Sequence, residues 1–147
     1  MKIDVNGVSI TLTQEQLEEI SKQTSKIKSY KDIKSFEIAC KRQNIDVSLF
    51  NSKLDNLTKG EIALRKLKIV VKAIRSFTQW YPDFSNNGQY KHFVWFDLER
   101  GFSSYSTGYY NTHAYVPSAL LVGSIAEAKF LGEQHLDLFK DYITEAE

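Results

Sequence analysis

Between Thr58 and Phe77 the sequence leaves the chain little structural choice. Thr58-Lys59-Gly60-Glu61 has the spacing of a capping box, in which the threonine hydroxyl and the glutamate carboxylate each take an orphan backbone N–H at a helix start. At about 100° per residue, Ala63, Leu64, Leu67, Val70, Val71, Ile74 and Phe77 share one arc, and Ile62, Ile69 and Ala73 widen it. A stripe that wide cannot be buried by one neighbouring layer, so a helix from about Lys59 to Phe77 is expected at the centre of the fold. The remaining polar arc is basic: Arg65, Lys68, Lys72 and Arg75 form one narrow ridge. Their mutual repulsion is partly offset because cations favour the C-terminal half of a helix dipole.

The segment after this helix must supply its cover. From Phe77 to Tyr115 the chain carries 13 of its 19 aromatic residues. Pro82 biases Tyr81 away from helix, and 83–88 reads as a loop. Tyr90 to Leu98 reads as a strand, Glu99-Arg100-Gly101 as a turn, and Phe102 to Thr107 as its partner strand. Phe93 and Trp95 share one face of the first strand with Asp97; Val94, Phe96 and Leu98 share the other. Such a strand is either sandwiched or carries an exposed aromatic patch. Trp80, Phe93, Trp95 and Phe96 are expected to join sheet and helix. Gly108 to Asn111 reads as a loop, with short extended segments near 113–116 and 119–122. Ser124-Ile125-Ala126-Glu127 repeats the capping-box spacing and opens a terminal helix to about Ile143. Its inward arc is Ile125, Ala128, Leu131, Gly132, His135, Leu138, Phe139 and Tyr142.

Upstream, Lys2–Val5 and Val8–Leu12 flank Asn6-Gly7, the dipeptide suited to a tight hairpin turn. Thr13 and Gln16 form another capping box, opening a short helix to about Lys22. Residues 21–34 contain five lysines and no sustained period, the pattern of a mobile basic linker. Ser35 caps a helix through Phe36, Ala39 and Cys40 to about Asn44. Residues 46–57 read as a turn-rich connection anchored by Phe50, Leu54 and Leu57. The fold class is therefore α+β in one domain over 1–147. Residues 1–34 form an N-terminal hairpin, helix and linker, and 35–147 the main body, a small antiparallel sheet packed against a central and a C-terminal helix.

The single cysteine excludes an intrachain disulfide, and Cys40 reads as a small buried hydrophobe. No apolar run has signal-peptide or membrane-span length, so a cytoplasmic protein without membrane attachment is expected. Residues 1–75 carry 15 Lys/Arg against 9 Asp/Glu, a balance of +6, whereas 76–147 carry 4 against 9, a balance of −5. That split suits either an anionic partner or two halves that pack with complementary fields.

Ser35-Phe36 with Ala39-Cys40, Trp80-Tyr81-Pro82-Asp83, Gln89-Tyr90-Lys91 with Trp95-Phe96, Gly101-Phe102, and Ala128 to Tyr142 carry a resemblance. Over about 35–143 the chain resembles small uncharacterised proteins of phages and mobile elements of Bacteroides-type bacteria. The resemblance implies an accessory protein of a virus or mobile element, residing in the cytoplasm of the bacterial host, and brings no activity or site residue with it. It also implies an aromatic residue in relatives where His135 stands, and hence a packing role for His135.

No catalytic constellation, phosphate-binding glycine loop or zinc spacing is present, so no enzyme activity and no cofactor are expected. The loop from Asp83 to Gly88 matches the first half of a calcium loop, but its twelfth position is Val94 rather than glutamate. His92, His113, Asp97 and Glu99 match no ligand spacing, so no metal is expected. Two binding readings remain. Tyr105, Tyr109, Tyr110 and Tyr115, interspersed with Ser, Thr and Asn, together with Phe130 on the polar side of the last helix, have the composition of a protein-binding surface. Such a surface suits a protein partner, with a host or defence protein among the candidates. Alternatively, Arg65, Lys68, Lys72 and Arg75 offer phosphate contacts to a nucleic acid. A virion structural component is a third reading.

Overall fold

The computed structural model describes residues 2–5, 8–11, 13–16, 18, 27–102, 105–110 and 117–144. The hairpin expected at the N-terminus is present. Strands β1 (Lys2–Val5) and β2 (Val8–Thr11) pair antiparallel with Val5 opposite Val8, the register a two-residue connection imposes. Thr13 and Gln16 close their capping box, Thr13 Oγ1 accepting the Gln16 N–H and Gln16 Oε1 accepting the Thr13 N–H.

The basic linker is corrected over its second half. Residues Tyr30–Asp32 form a turn of 3₁₀ helix, closed by Asp32, whose carboxylate accepts the backbone N–H groups of Lys28 and Ser29. Ile33 is fully buried in the main core, and Ile27 and Tyr30 pack against it. Sparse isoleucines in a lysine-rich stretch show no period because they anchor a single turn.

Helix α1 (Phe36–Arg42) begins where Ser35 accepts the Ile38 N–H and ends before Asn44, which adopts a left-handed φ of 54°. The connection expected after it contains a short helix, α2 (Val47–Asn51), capped by Asp46. Phe50 of α2 meets Phe36 of α1 at 4.9 Å between ring centroids.

Helix α3 (Lys59–Arg75) is central, as its wide apolar arc requires. Thr58 and Glu61 close the expected capping box, with Glu61 accepting the Thr58 N–H at 2.8 Å. Leu67, Val70, Val71, Ala73 and Ile74 are completely buried, each of the larger ones stabilising the fold by about 2 kcal/mol. α3 packs against α1 on one side and a C-terminal helix on another.

The sheet is a hairpin of β3 (Lys91–Phe96) and β4 (Tyr105–Tyr110), joined through a 3₁₀ turn at Leu98–Arg100. The partner strand thus lies about three residues later than the sequence pattern suggests, and Gly108, Tyr109 and Tyr110, expected in a loop, are strand residues paired with Phe93, His92 and Lys91. The extended segment expected near 119–122 is a 3₁₀ turn, Ser118–Leu120, followed by a single bridge between Val122 and His92. The segment at 113–116 lies outside the described residues.

The terminal helix is two helices, α4 (Ile125–Gln134) and α5 (Leu136–Thr144), broken at His135. The sheet packs on α4, and α5 lies along α3. Ile125, assigned to the inward arc, is exposed, whereas Ala128, Leu131, His135 and Phe139 are buried. The fold is α+β: a small antiparallel sheet, a long central helix and C-terminal helices.

Candidate functional site

Faces of the β3–β4 hairpin are set by its register. Val94 is buried, and Phe96 packs on Phe139 of α5 and on Phe102, so this side meets the core. Trp95, on the opposite side and paired with Ser106 in the register, is 47% exposed. The expectation that Trp95 belongs to the core is therefore corrected: only one of the two apolar faces is well covered. Phe93 lies over Gly108, where any added Cβ would come within 2.6 Å of the ring.

At the start of the hairpin, aromatic rings form a contiguous exposed cluster. Tyr90 and Tyr109 meet edge to face at 5.0 Å, and both lie within 6.5 Å of the His92 ring. Tyr90 is 52% and Tyr109 63% exposed. Burial pushes the His92 pKa below its ordinary value. Its Nδ1 is buried without a hydrogen-bond partner among the described residues.

Behind the cluster stands a buried cation that composition alone does not reveal. Lys91 is completely buried, its ammonium donating to the carbonyls of Gln89 and Asn86 and lying 5.5 Å from the Phe84 ring centroid. Asp83 accepts from the Ser85 hydroxyl and N–H, bonds that hold its carboxyl below the usual range, and Asn86 accepts from Gly88. Asp83 and Ser85, the first and third positions of the calcium-loop pattern, are thus bonded to each other within the turn. Among the described residues no group of three His, Cys, Asp or Glu side chains could hold a metal ion. Asp97 caps the turn after β3, accepting from Glu99, and pairs with Arg100 at 3.4 Å. His113 lies outside the described residues.

Of the tyrosines singled out from the sequence, Tyr109 joins the exposed cluster. Tyr105 and Tyr110 sit at the two ends of β4, opposite Phe96 and Lys91; Tyr105 is in a strand as expected, whereas Tyr110, expected in a loop, is a strand residue. Tyr115 lies outside the described residues. Phe130 is corrected: it is half-buried against the core, its ring 5.4 Å from Tyr30 and 6.2 Å from His135. Tyr90, absent from the expected set, completes the patch; its place just before a strand rich in aromatics was the available signal.

The basic ridge divides. Arg65, Lys68 and Lys72 are exposed and make no ion pair with any described residue. Arg75 leaves the ridge and turns into the fold. Its Nε donates to the Leu121 carbonyl at 2.6 Å, a terminal nitrogen donates to the Ser118 carbonyl, and the guanidinium lies 5.4 Å from the Trp80 ring centroid. Burial lowers its pKa to about 10, still cationic at neutral pH, with Tyr81 and Glu127 opposing the shift. A groove of about 520 Å³ lies nearby, lined by Tyr30, Gln79, Trp80, Tyr81, Gly123 and Glu127 among others.

No family model, no curated protein and no solved structure matches this chain. Among the described residues no helix is long and apolar enough to cross a membrane.

Proposed function

We propose that this chain is a non-enzymatic accessory protein of a phage or mobile element that acts by binding a protein, a host or defence component being the expected class. The observation that carries this reading is the Tyr90–His92–Tyr109 cluster, two half-exposed tyrosines locked edge to face on a rigid hairpin. Tyrosine supplies a large amphipathic contact area at low entropic cost and is enriched where interfaces concentrate their energy. Tyr109 is retained from the sequence-based surface, while the centre moves from a loop to the hairpin. The test is a photo-crosslinking residue at position 109, followed by reconstitution of any captured protein as a purified complex. Tyr90→Ala with Tyr109→Ala should weaken that complex by at least about tenfold. An unchanged affinity, or turnover of a substrate by the purified protein, would refute the reading.

A second reading rests on Arg65, Lys68 and Lys72, which are exposed, make no ion pair with any described residue, and present three cations along one side of α3. Nucleic-acid binding through them would show log affinity falling with log salt at a slope of about −2, and Lys68→Glu with Lys72→Glu would abolish it. Arg75 is not part of this surface.

A further inference from the structure

Glu127 occupies the third position of α4, where the spacing from Ser124 calls for a closed capping box. Thr13–Gln16, Ser29–Asp32 and Thr58–Glu61 each close fully, the second side chain reaching back to the N-cap N–H. In α4 only half the box forms: Ser124 Oγ accepts the Glu127 N–H, but the carboxylate does not reach back to Ser124 N–H and instead accepts from Ser124 Oγ at 3.1 Å through Oε2. The residue is only 3% exposed, and its side chain forms part of the wall of the groove. Water in the groove can serve this carboxylate, and a ligand hydroxyl that reproduces the water's hydrogen bond can take its place at little cost.

The walls around it are rigid. Trp80 is held between the Arg75 guanidinium and Gly123, where an added Cβ would come within 2.9 Å of the indole. Gln79 holds a left-handed φ of 52°, unusual for a residue other than glycine and of the kind that clusters at binding sites. Tyr81, 63% exposed, stands at the rim. The volume lies within the range of about 300–1,000 Å³ common to small-molecule sites.

We propose that this groove binds a neutral saccharide, with a sugar hydroxyl donating to Glu127 Oε1, the Gln79 amide meeting a second hydroxyl, and the Tyr81 ring packing on the C–H face. Charge balance selects the class. The Arg75 guanidinium and the N-terminal end of α4 already supply positive potential to Glu127, so a cationic ligand gains little net attraction. A ring with hydroxyl donors satisfies the carboxylate without adding charge, and its partially positive C–H edges match the negative face of tyrosine. The site uses neither Tyr90 nor Tyr109, so it stands or falls separately from the protein-binding surface.

The test is NMR of the indole N–H in a Trp95→Phe variant, which leaves Trp80 as the only tryptophan. Glucose, galactose and N-acetylglucosamine are titrated in turn, with methylammonium chloride as the cationic comparison. At least one sugar should produce a saturable shift, and both Tyr81→Ala and Glu127→Gln should weaken it by about tenfold. Tyr81 is exposed, so its variant keeps the test available if Glu127→Gln fails to fold. Absence of a saturable shift with all three sugars, equal affinity in Tyr81→Ala, or saturation by methylammonium instead would overturn the proposal.

Discussion

The His135 ring and the Ile33 carbonyl meet at 2.8 Å, Nε2 to oxygen, across 102 residues of sequence. This buried bond fastens the segment before α1 to the junction of α4 and α5. It also explains why the helix breaks there: His135 leaves helical geometry at φ −118° and ψ 28°, placing its ring against Ile33 and beside Phe130. The packing role implied for His135 is met by a residue that packs and donates at once.

The bond requires a proton on Nε2, and burial holds the His135 pKa below its ordinary value, with the Ile33 carbonyl opposing that shift. A histidine with a depressed folded pKa contributes stability that is present above its unfolded pKa, near 6.5, and is lost as pH falls towards the folded value. His92 is displaced in the same direction by burial. The midpoint of thermal unfolding should therefore fall between about pH 7 and pH 5. His135→Phe should cost about 1 kcal/mol at pH 7.5, by leaving the Ile33 carbonyl unpaired, and should flatten part of the pH dependence. A variant with the wild-type slope would show that His135 does not titrate on unfolding.

Arg75 ties the end of α3 to the 118–121 segment through two carbonyls, and Lys68 on the same helix projects into solvent. Lysine cannot reproduce the forked geometry, so Arg75→Lys should lower stability by about 1–2 kcal/mol in urea unfolding. Lys68→Gln should change it by less than about 0.5 kcal/mol. Equal effects would mean that the two cations belong to one solvated ridge after all.

Legibility of the sequence tracked the range of the forces involved. α3, the Thr58 box and the Ser35 cap depend on neighbours within one or two turns, and each lies where the pattern places it. α2 was unreadable because five residues hold too little period, although Asp46 marked its start. Ser, Thr and Gly leave the faces of β4 weakly distinguished, so its register was set by pairing with β3 rather than by alternation. The break at His135 left no periodic trace, since Leu131, Leu138 and Phe139 keep one helical phase across it. Phe130 looked solvent-facing because its partner, Tyr30, comes from a stretch without periodicity. The aromatic cluster was half visible, through Tyr109, while Tyr90 and His92 joined it only through tertiary geometry.

Cys40 is fully buried in α1, and burial raises its thiol pKa, with the charge of Glu37 adding to the shift. Both effects remove the thiolate that would attack a disulfide reagent. In the native protein at pH 8, reaction with an aromatic disulfide should be at least about a hundredfold slower than in urea, governed by local opening rather than thiol chemistry. Rapid native labelling would show that α1 opens readily from α3.

Gly108 separates a backbone explanation from a packing one. It has no left-handed φ, so its conformation alone does not demand glycine, and alanine would lower the entropy of the unfolded chain by about 0.4–1 kcal/mol in favour of folding. Against that, a Cβ at 108 would sit 2.6 Å from Phe93 Cζ and 3.1 Å from two further ring carbons. Displacing a packed ring costs about 1–3 kcal/mol, so the clash should outweigh the entropic gain and Gly108→Ala should destabilise. Combining it with Phe93→Ala removes the obstructing ring. The double variant should then be more stable than the sum of the single effects predicts, with a coupling above about 0.5 kcal/mol in a double-mutant cycle. Additive effects would mean that Gly108 is required for some reason other than the Phe93 ring.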